Sequence, residues 1–193
     1  MLEKIPAGVG HALRGVRAGF DKIVSEDAAL ASVADTIRVD SPAFKDGGSI
    51  PARFTADGPG ISPPLRISEV PGSALALVLI AEDPDAPSAE PFVHLLSFDL
   101  PPQIGELTEG LFRSPKHEGL EEDLGRNSFH KAAYLPPDPP NGHGPHLYAV
   151  QVFALDRQLS FEHPPSRKAV VEAMQGHVLA KGLLVGTYER PAA

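Results

Sequence analysis

The sequence predicts a mainly β fold, an antiparallel sandwich carrying one or two peripheral helices. Three observations carry that expectation. The chain holds 21 prolines in 193 residues, where average usage of about 5% would give roughly ten. Helix interiors exclude proline, so the bias is towards short strands and shaped loops. Apolar runs of strand length recur at residues 74–81, 92–100 and 146–155. Proline-rich turns separate them, without the regular alternation of strand and helix that marks a parallel α/β sheet.

In chain order, residues 8–24 place Val9, Leu13, Val16, Phe20 and Ile23 three or four apart, one apolar stripe at helical spacing. Asp27 heads an Ala-rich run to Ala34, the pattern of a second short helix. Residues 1–35 therefore read as an N-terminal helical extension, expected to dock on the body or on a partner subunit in a homodimer. Residues 36–193 form the β domain. Residues 36–39 alternate like a strand, and Pro42, Gly47, Gly48, Pro51, Gly58, Pro59, Pro63 and Pro64 punctuate the stretch up to residue 64. Residues 74–81 (ALALVLIA) are apolar on both parities, as in a central strand covered on both faces. Residues 166–179 form the one convincing helix of the body, with Ser166 as N-cap and Val170, Ala173, Met174 and His177 on one face. A short strand at 185–188 closes the chain, and the acidic run 118–123 reads as a solvated loop.

Composition excludes several function classes. There is no cysteine, hence no disulfide, thiolate metal site or Cys nucleophile. A net charge of −8 argues against general binding to nucleic acids or anionic membranes. No segment approaches the ~20 apolar residues of a membrane span. Gly, Pro, His and Arg interrupt the N-terminus before a secretory apolar segment can form, so a cytoplasmic location is expected.

The main chemical signal is Glu82-Asp83-Pro84-Asp85-Ala86-Pro87, directly after the buried strand. Pro84 and Pro87 push Asp83 and Ala86 out of the helical region, holding two carboxylates in a stiff, extended turn. On its own such a turn is as well explained by Asp side chains capping local N–H groups. Two histidines shift the balance. His94 interrupts the apolar run Phe92-Val93-His94-Leu95-Leu96, where a polar side chain costs free energy unless it finds partners. His146 opens a strand and shares its face with Tyr148. One strand histidine is usually a satisfied core residue; two, with an Asp pair at a strand end, converge better on one polar pocket. His143, in a glycine-rich turn, is expected to be exposed. Asp57-Gly58 and Ser62-Pro63-Pro64-Leu65 fit a rim built from backbone.

Thr55-Ala56-Asp57-Gly58, Ser62-Pro63-Pro64-Leu65, Val70-Pro71, Asp83-Pro84-Asp85-Ala86-Pro87, His94, Pro139-Pro140, Gly142-His143-Gly144-Pro145-His146 and Tyr148 succeed one another along the chain. With these residues it resembles the phosphatidylethanolamine-binding proteins, also called Raf kinase inhibitor proteins, in their bacterial YbhB/YbcL branch. The resemblance runs from about residue 36 to 189 and leaves the arm outside it. It implies a Greek-key antiparallel β-sandwich with peripheral helices and a pocket for phosphate-like or other small anions. By position, Asp83, Asp85, Pro87, His94, Pro140, His146 and Tyr148 match that pocket. It implies no cofactor, and a regulatory role towards a kinase or protease only by remote analogy. Three positions depart from the family pattern: Leu95 where Trp is common, Asp99 where Asn is usual, and Leu147 where Arg is usual.

In the expected mechanism His94 and His146 donate to the anion, while Asp83 and Asp85 accept from the histidines and set their tautomers. Two enzyme readings compete with this recognition site. An apolar strand followed by Asp-x-Asp is how a haloacid-dehalogenase-type phosphatase presents its nucleophile, but Pro87 and the proline-rich β texture disagree with that fold. Asp83, Asp85, His94 and His146 are also a candidate ligand set for a hydrolytic metal. No GxSxG, HExxH or P-loop is present. A partner protein with a vestigial pocket is the third class.

Overall fold

The computed structural model of the chain describes residues 7–112 and 123–190. Among the described residues eight strands form two sheets. The larger holds β1 (Ala34–Asp35), β4 (Ala76–Asp83), β5 (Phe92–Leu100), β7 (His146–Leu155) and β8 (Val178–Tyr188), in the order β1-β8-β7-β4-β5. The smaller holds β2 (Arg38–Asp40), β3 (Leu65–Ser68) and β6 (Glu106–Leu107), in the order β2-β3-β6. The pairing is antiparallel except for β1 with β8, which is parallel.

The double-sided apolarity of β4 has a direct cause. Leu77 and Leu79 join a core with Phe44, Phe54, Ile67 and Leu107, roofed by the small sheet. Val78 and Ile80 join a second core with Val24, Leu30, Phe153, Val170 and Met174. The large sheet is thus sandwiched between the small sheet on one side and the arm plus α2 (Arg167–Met174) on the other.

β5 and β7 coincide with the expected strands. β5 carries two register shifts against β4. At the first, Ala81 faces Leu95 while Glu82 faces Val93, so His94 is the extra residue of a bulge. At the second lies Asp99 with φ 58°, a left-handed conformation that Asp and Asn tolerate better than most residues.

Other elements differ from expectation. The stripe over 8–24 forms a helix only at α1 (Ala7–Leu13), followed by short 3-10 turns. Gly8 and Gly10 weaken the helix, and Gly10 is needed for close approach: a Cβ there would lie 1.9 Å from the Asn141 carbonyl oxygen. The stripe consequently breaks, with Ile23 buried at 1% exposure but Val9 and Val16 exposed at 45% and 47%. Asp27 does cap, accepting from Ala29 N, but heads a single 3-10 turn at Ala28–Leu30. Ser166 caps α2 by accepting from Ala169 N, and that helix ends at Met174, ahead of Gly176 at φ 76°. β8 is much longer than the expected 185–188. Its Gly182 marks packing rather than a break, since a Cβ there would meet Ile37 O at 2.1 Å. Of the acidic run 118–123, only Asp123 falls within the described residues. Among those residues no helix is long and apolar enough to cross a membrane.

Candidate functional site

One end of the large sheet gathers the end of β4, the start of β5 and the start of β7. Asp83 closes β4, and its Oδ1 accepts from Asp85 N at 2.8 Å, the Asx-type turn that Pro84 favours. The N-terminal arm runs along this turn: Gly19 N donates to Pro84 O and Ala18 N to Ala86 O, at 2.9 and 3.1 Å. Asp85 points away from the histidines, pairing with Arg17 of the arm at 2.6 Å and accepting from Leu147 N at 2.7 Å. Asp85 therefore sets no histidine tautomer, contrary to expectation.

His146 and Tyr148 occupy one face of β7, while Leu147 lies on the opposite parity. His146 Nδ1 donates to Asp83 Oδ2 at 2.7 Å. Its Nε2 meets His143 Nδ1 at 2.7 Å, and His143 Nε2 donates to Leu13 O of the arm at 2.8 Å. Both nitrogens of His146 are therefore engaged within the protein, so His146 is not the open donor that the sequence suggests. His143 is fully buried, against the expectation of exposure, because the arm closes over the Gly142–Pro145 turn. Arg14 donates to Gly142 O at 3.1 Å, and Arg17 to Pro145 O at 3.1 Å. Burial pushes His143 below the ordinary imidazole range, and the adjacent His146 adds to the effect.

His94 is brought to the same place by the bulge. Its ring stands edge-on to Tyr148 with centroids 5.3 Å apart, and Tyr148 lies 6.4 Å from His146. The acceptor Leu135 O at 2.9 Å fixes a hydrogen on His94 Nδ1. His94 Nε2 and the Tyr148 hydroxyl are buried without a hydrogen-bond partner. Such orphans are costly unless something binds them. Burial, outweighing the attraction of Asp83, lowers the His94 pKa from its ordinary value. Burial and then Asp83 raise Tyr148 well above the phenol range. Both are neutral at pH 7.

His94 and Tyr148 are among the residues lining a cavity of about 40 Å³, room for roughly three water-sized groups. Its lining includes His94, Tyr148, Leu95, Ser62, Pro63 and Pro137. The bulge puts Leu95 into this wall, where a larger ring would reduce the space. Pro87 and Pro140 do not line it: Pro87 stiffens the carboxylate turn, and Pro140 O accepts from His143 N at 3.2 Å. Among the described residues no group of three or more His, Asp or Glu is arranged to hold a metal ion.

Sequence reasoning missed three contributors. His143 is signalled only by its spacing of three from His146. Arg17 lies in the arm. Arg190, buried near the C-terminus, contacts Asp57 at 2.8 and 3.0 Å, Asp138 at 2.6 Å and Pro139 O at 2.7 Å. Asp57 also accepts from the Tyr188 hydroxyl at 2.7 Å, so the rim is a charged clamp rather than backbone alone.

Comparison with known proteins agrees with this fold. The profile of the family described as Phosphatidylethanolamine-binding protein matches residues 40–189. A UPF0098 protein of Pyrococcus horikoshii is 40% identical over 154 residues, 78% of this chain and 75% of its own. The structure of a phosphatidylethanolamine-binding protein homologue from Chlamydia trachomatis superposes with a TM-score of 0.72 at 36% identity, covering 82% of this chain and all of that one. Escherichia coli YbcL superposes with a TM-score of 0.71 at 26% identity, covering 81% of this chain and 99% of its own.

Proposed function

Because the chain belongs to the phosphatidylethanolamine-binding protein family, we propose that it is a recognition protein for a small oxyanion of phosphate type, bound at His94 and Tyr148. The observation that carries this reading is the pair of buried unpartnered atoms, His94 Nε2 and the Tyr148 hydroxyl, on two residues that line the cavity. Tyr148 offers a donor as it stands. His94 Nε2 presents a lone pair while the ring is neutral, because Leu135 O holds the hydrogen on Nδ1. It becomes a donor on gaining a proton, so the anion arrives with that proton. Asp83 orients His146 and favours the charged form of His94, acting on the ligand through the imidazoles. Asp85, Pro87 and Pro140 shape the surrounding turns.

Titration calorimetry with sulfate at pH 5.5 tests this. Saturable binding to the wild type, lost in His94→Ala, supports it. Equal binding by both proteins would place the anion elsewhere.

A further inference from the structure

We propose that Asp83, His146 and His143 form a proton-dependent latch for the N-terminal arm, holding one proton more than two neutral imidazoles and a carboxylate own. Three short contacts run in series: Asp83 Oδ2 to His146 Nδ1 at 2.7 Å, His146 Nε2 to His143 Nδ1 at 2.7 Å, and His143 Nε2 to Leu13 O at 2.8 Å. The Leu13 carbonyl at one end only accepts. Each contact requires a hydrogen between its two heavy atoms, which makes three. Two neutral imidazoles bring two.

Without the third, one contact must fail. If His143 donates to Leu13 O and His146 to Asp83, the facing nitrogens are two lone pairs at 2.7 Å. If His143 turns its hydrogen to His146, its Nε2 and Leu13 O become the opposed lone pairs. With the third hydrogen on the Asp83–His146 pair, every contact is satisfied and the pair is net neutral. His143 then stays neutral, consistent with its burial. In either placement within that pair, His146 Nε2 bears a hydrogen and His143 Nδ1 does not.

Charged and titratable groups face this trio from each element around it. Arg14 and Arg17 of the arm remain guanidinium cations, and Asp85 is paired with Arg17. His94 of β5 and Tyr148 of β7 are neutral near pH 7. Asp138 is paired with Arg190. Loss of the extra proton to hydroxide therefore falls on the trio itself: it sets His143 and His146 lone pair to lone pair, or turns the His143 hydrogen away from Leu13 O, and either outcome loosens the arm.

The test uses the full chain labelled with ¹⁵N-histidine, read by NMR from pH 6 to 10. His143→Gln assigns the ring signals. Amide exchange of Val16, Ala18 and Gly19 is followed in parallel and corrected for intrinsic hydroxide catalysis. At pH 7 His146 Nε2 should be protonated and His143 Nδ1 bare. Above the pH at which that proton leaves, arm protection should fall about tenfold per pH unit, and His143→Gln should lack this slope. A bare His146 Nε2 at pH 7, arm protection without the slope, or a slope that persists in His143→Gln would overturn the latch. If the variant does not fold, the wild-type ring spectra and exchange slope decide alone.

Discussion

His146 opens β7 where Asp83 closes the neighbouring β4, and their side chains meet Nδ1 to Oδ2 at 2.7 Å. Both groups are buried. A carboxylate at the end of one strand therefore holds the first side chain of another. The backbone of the same turn carries the arm, through Pro84 O and Ala86 O. The pocket, the turn and the arm share one set of hydrogen bonds.

Removing one member of that pair leaves the other buried and unpaired. Asp83→Ala should therefore destabilise the protein by about 3 kcal/mol, the lower end for a broken buried pair. Urea unfolding monitored by circular dichroism measures it. A loss below about 1 kcal/mol would show that the pair is readily replaced by water.

The arm should behave as part of the core. Ile23 is 1% exposed, and Val24 and Leu30 lie in the second core cluster. Val24 N donates to Glu82 Oε2 at 3.0 Å, Ser25 N to Gln151 Oε1 at 2.7 Å, and Lys181 Nζ to Ser25 O at 2.7 Å. Ile23→Ala should cost about 2–5 kcal/mol. Deleting residues 1–34 should lower the melting temperature further, since it also strips partners from the buried Glu82 and Gln151. An unchanged melting temperature in the deletion would contradict this.

The residues that the sequence made legible are those whose signal is local. β5 and β7 stood out because their apolar runs end at proline-rich turns, and β4 because both of its parities are apolar. Asp83, His94, His146 and Tyr148 stood out as polar side chains in or at the ends of such runs. The rest depends on distant partners. His143 is buried by a contact with Leu13, 130 positions away. Arg190 is explained only by Asp57 and Asp138, on loops far off in sequence. A bulge that turns His94 and Leu95 towards one cavity leaves no mark in an alternation pattern. Gly182 is required by its packing against Ile37, a contact that nothing local marks.

Stability should fall on mild acidification. Burial lowers the folded-state pKa of His94, while in the unfolded chain its pKa is about 6.5. Below pH 6.5 the unfolded state takes up a proton that the folded state resists, so unfolding gains from each further drop in pH. Above pH 6.5 both states are neutral and the contribution is flat. His143 acts in the same direction. Unfolding free energies at pH 7.5 and 5.0 should therefore differ, and His94→Gln should reduce the difference. A wild type more stable at pH 5.0 would reverse the sign.

Anion affinity should move oppositely, rising as pH falls from about 8 to 5.5. Neutral His94 carries an unpartnered lone pair on Nε2, which an oxyanion cannot use. Binding therefore takes up a proton that the free protein lacks. Linkage requires affinity to grow wherever the complex holds more protons than the free protein. Because burial holds free His94 neutral to below its ordinary range, the gain continues well past pH 6.5. Sulfate keeps its own charge across this interval, so calorimetry at the two ends reads the protein's proton alone. The variants separate the two donors. His94→Gln should remove the pH dependence, because its amide offers the same hydrogen at both pH values. Tyr148→Phe deletes a neutral donor, weakening binding by about 1 kcal/mol at both pH values with the slope intact. Asp83→Asn should change the slope too, because its charge favours protonated His94 while repelling the anion. Sulfate that binds better at pH 8, or a His94→Gln protein with the wild-type slope, would show that the proton goes elsewhere.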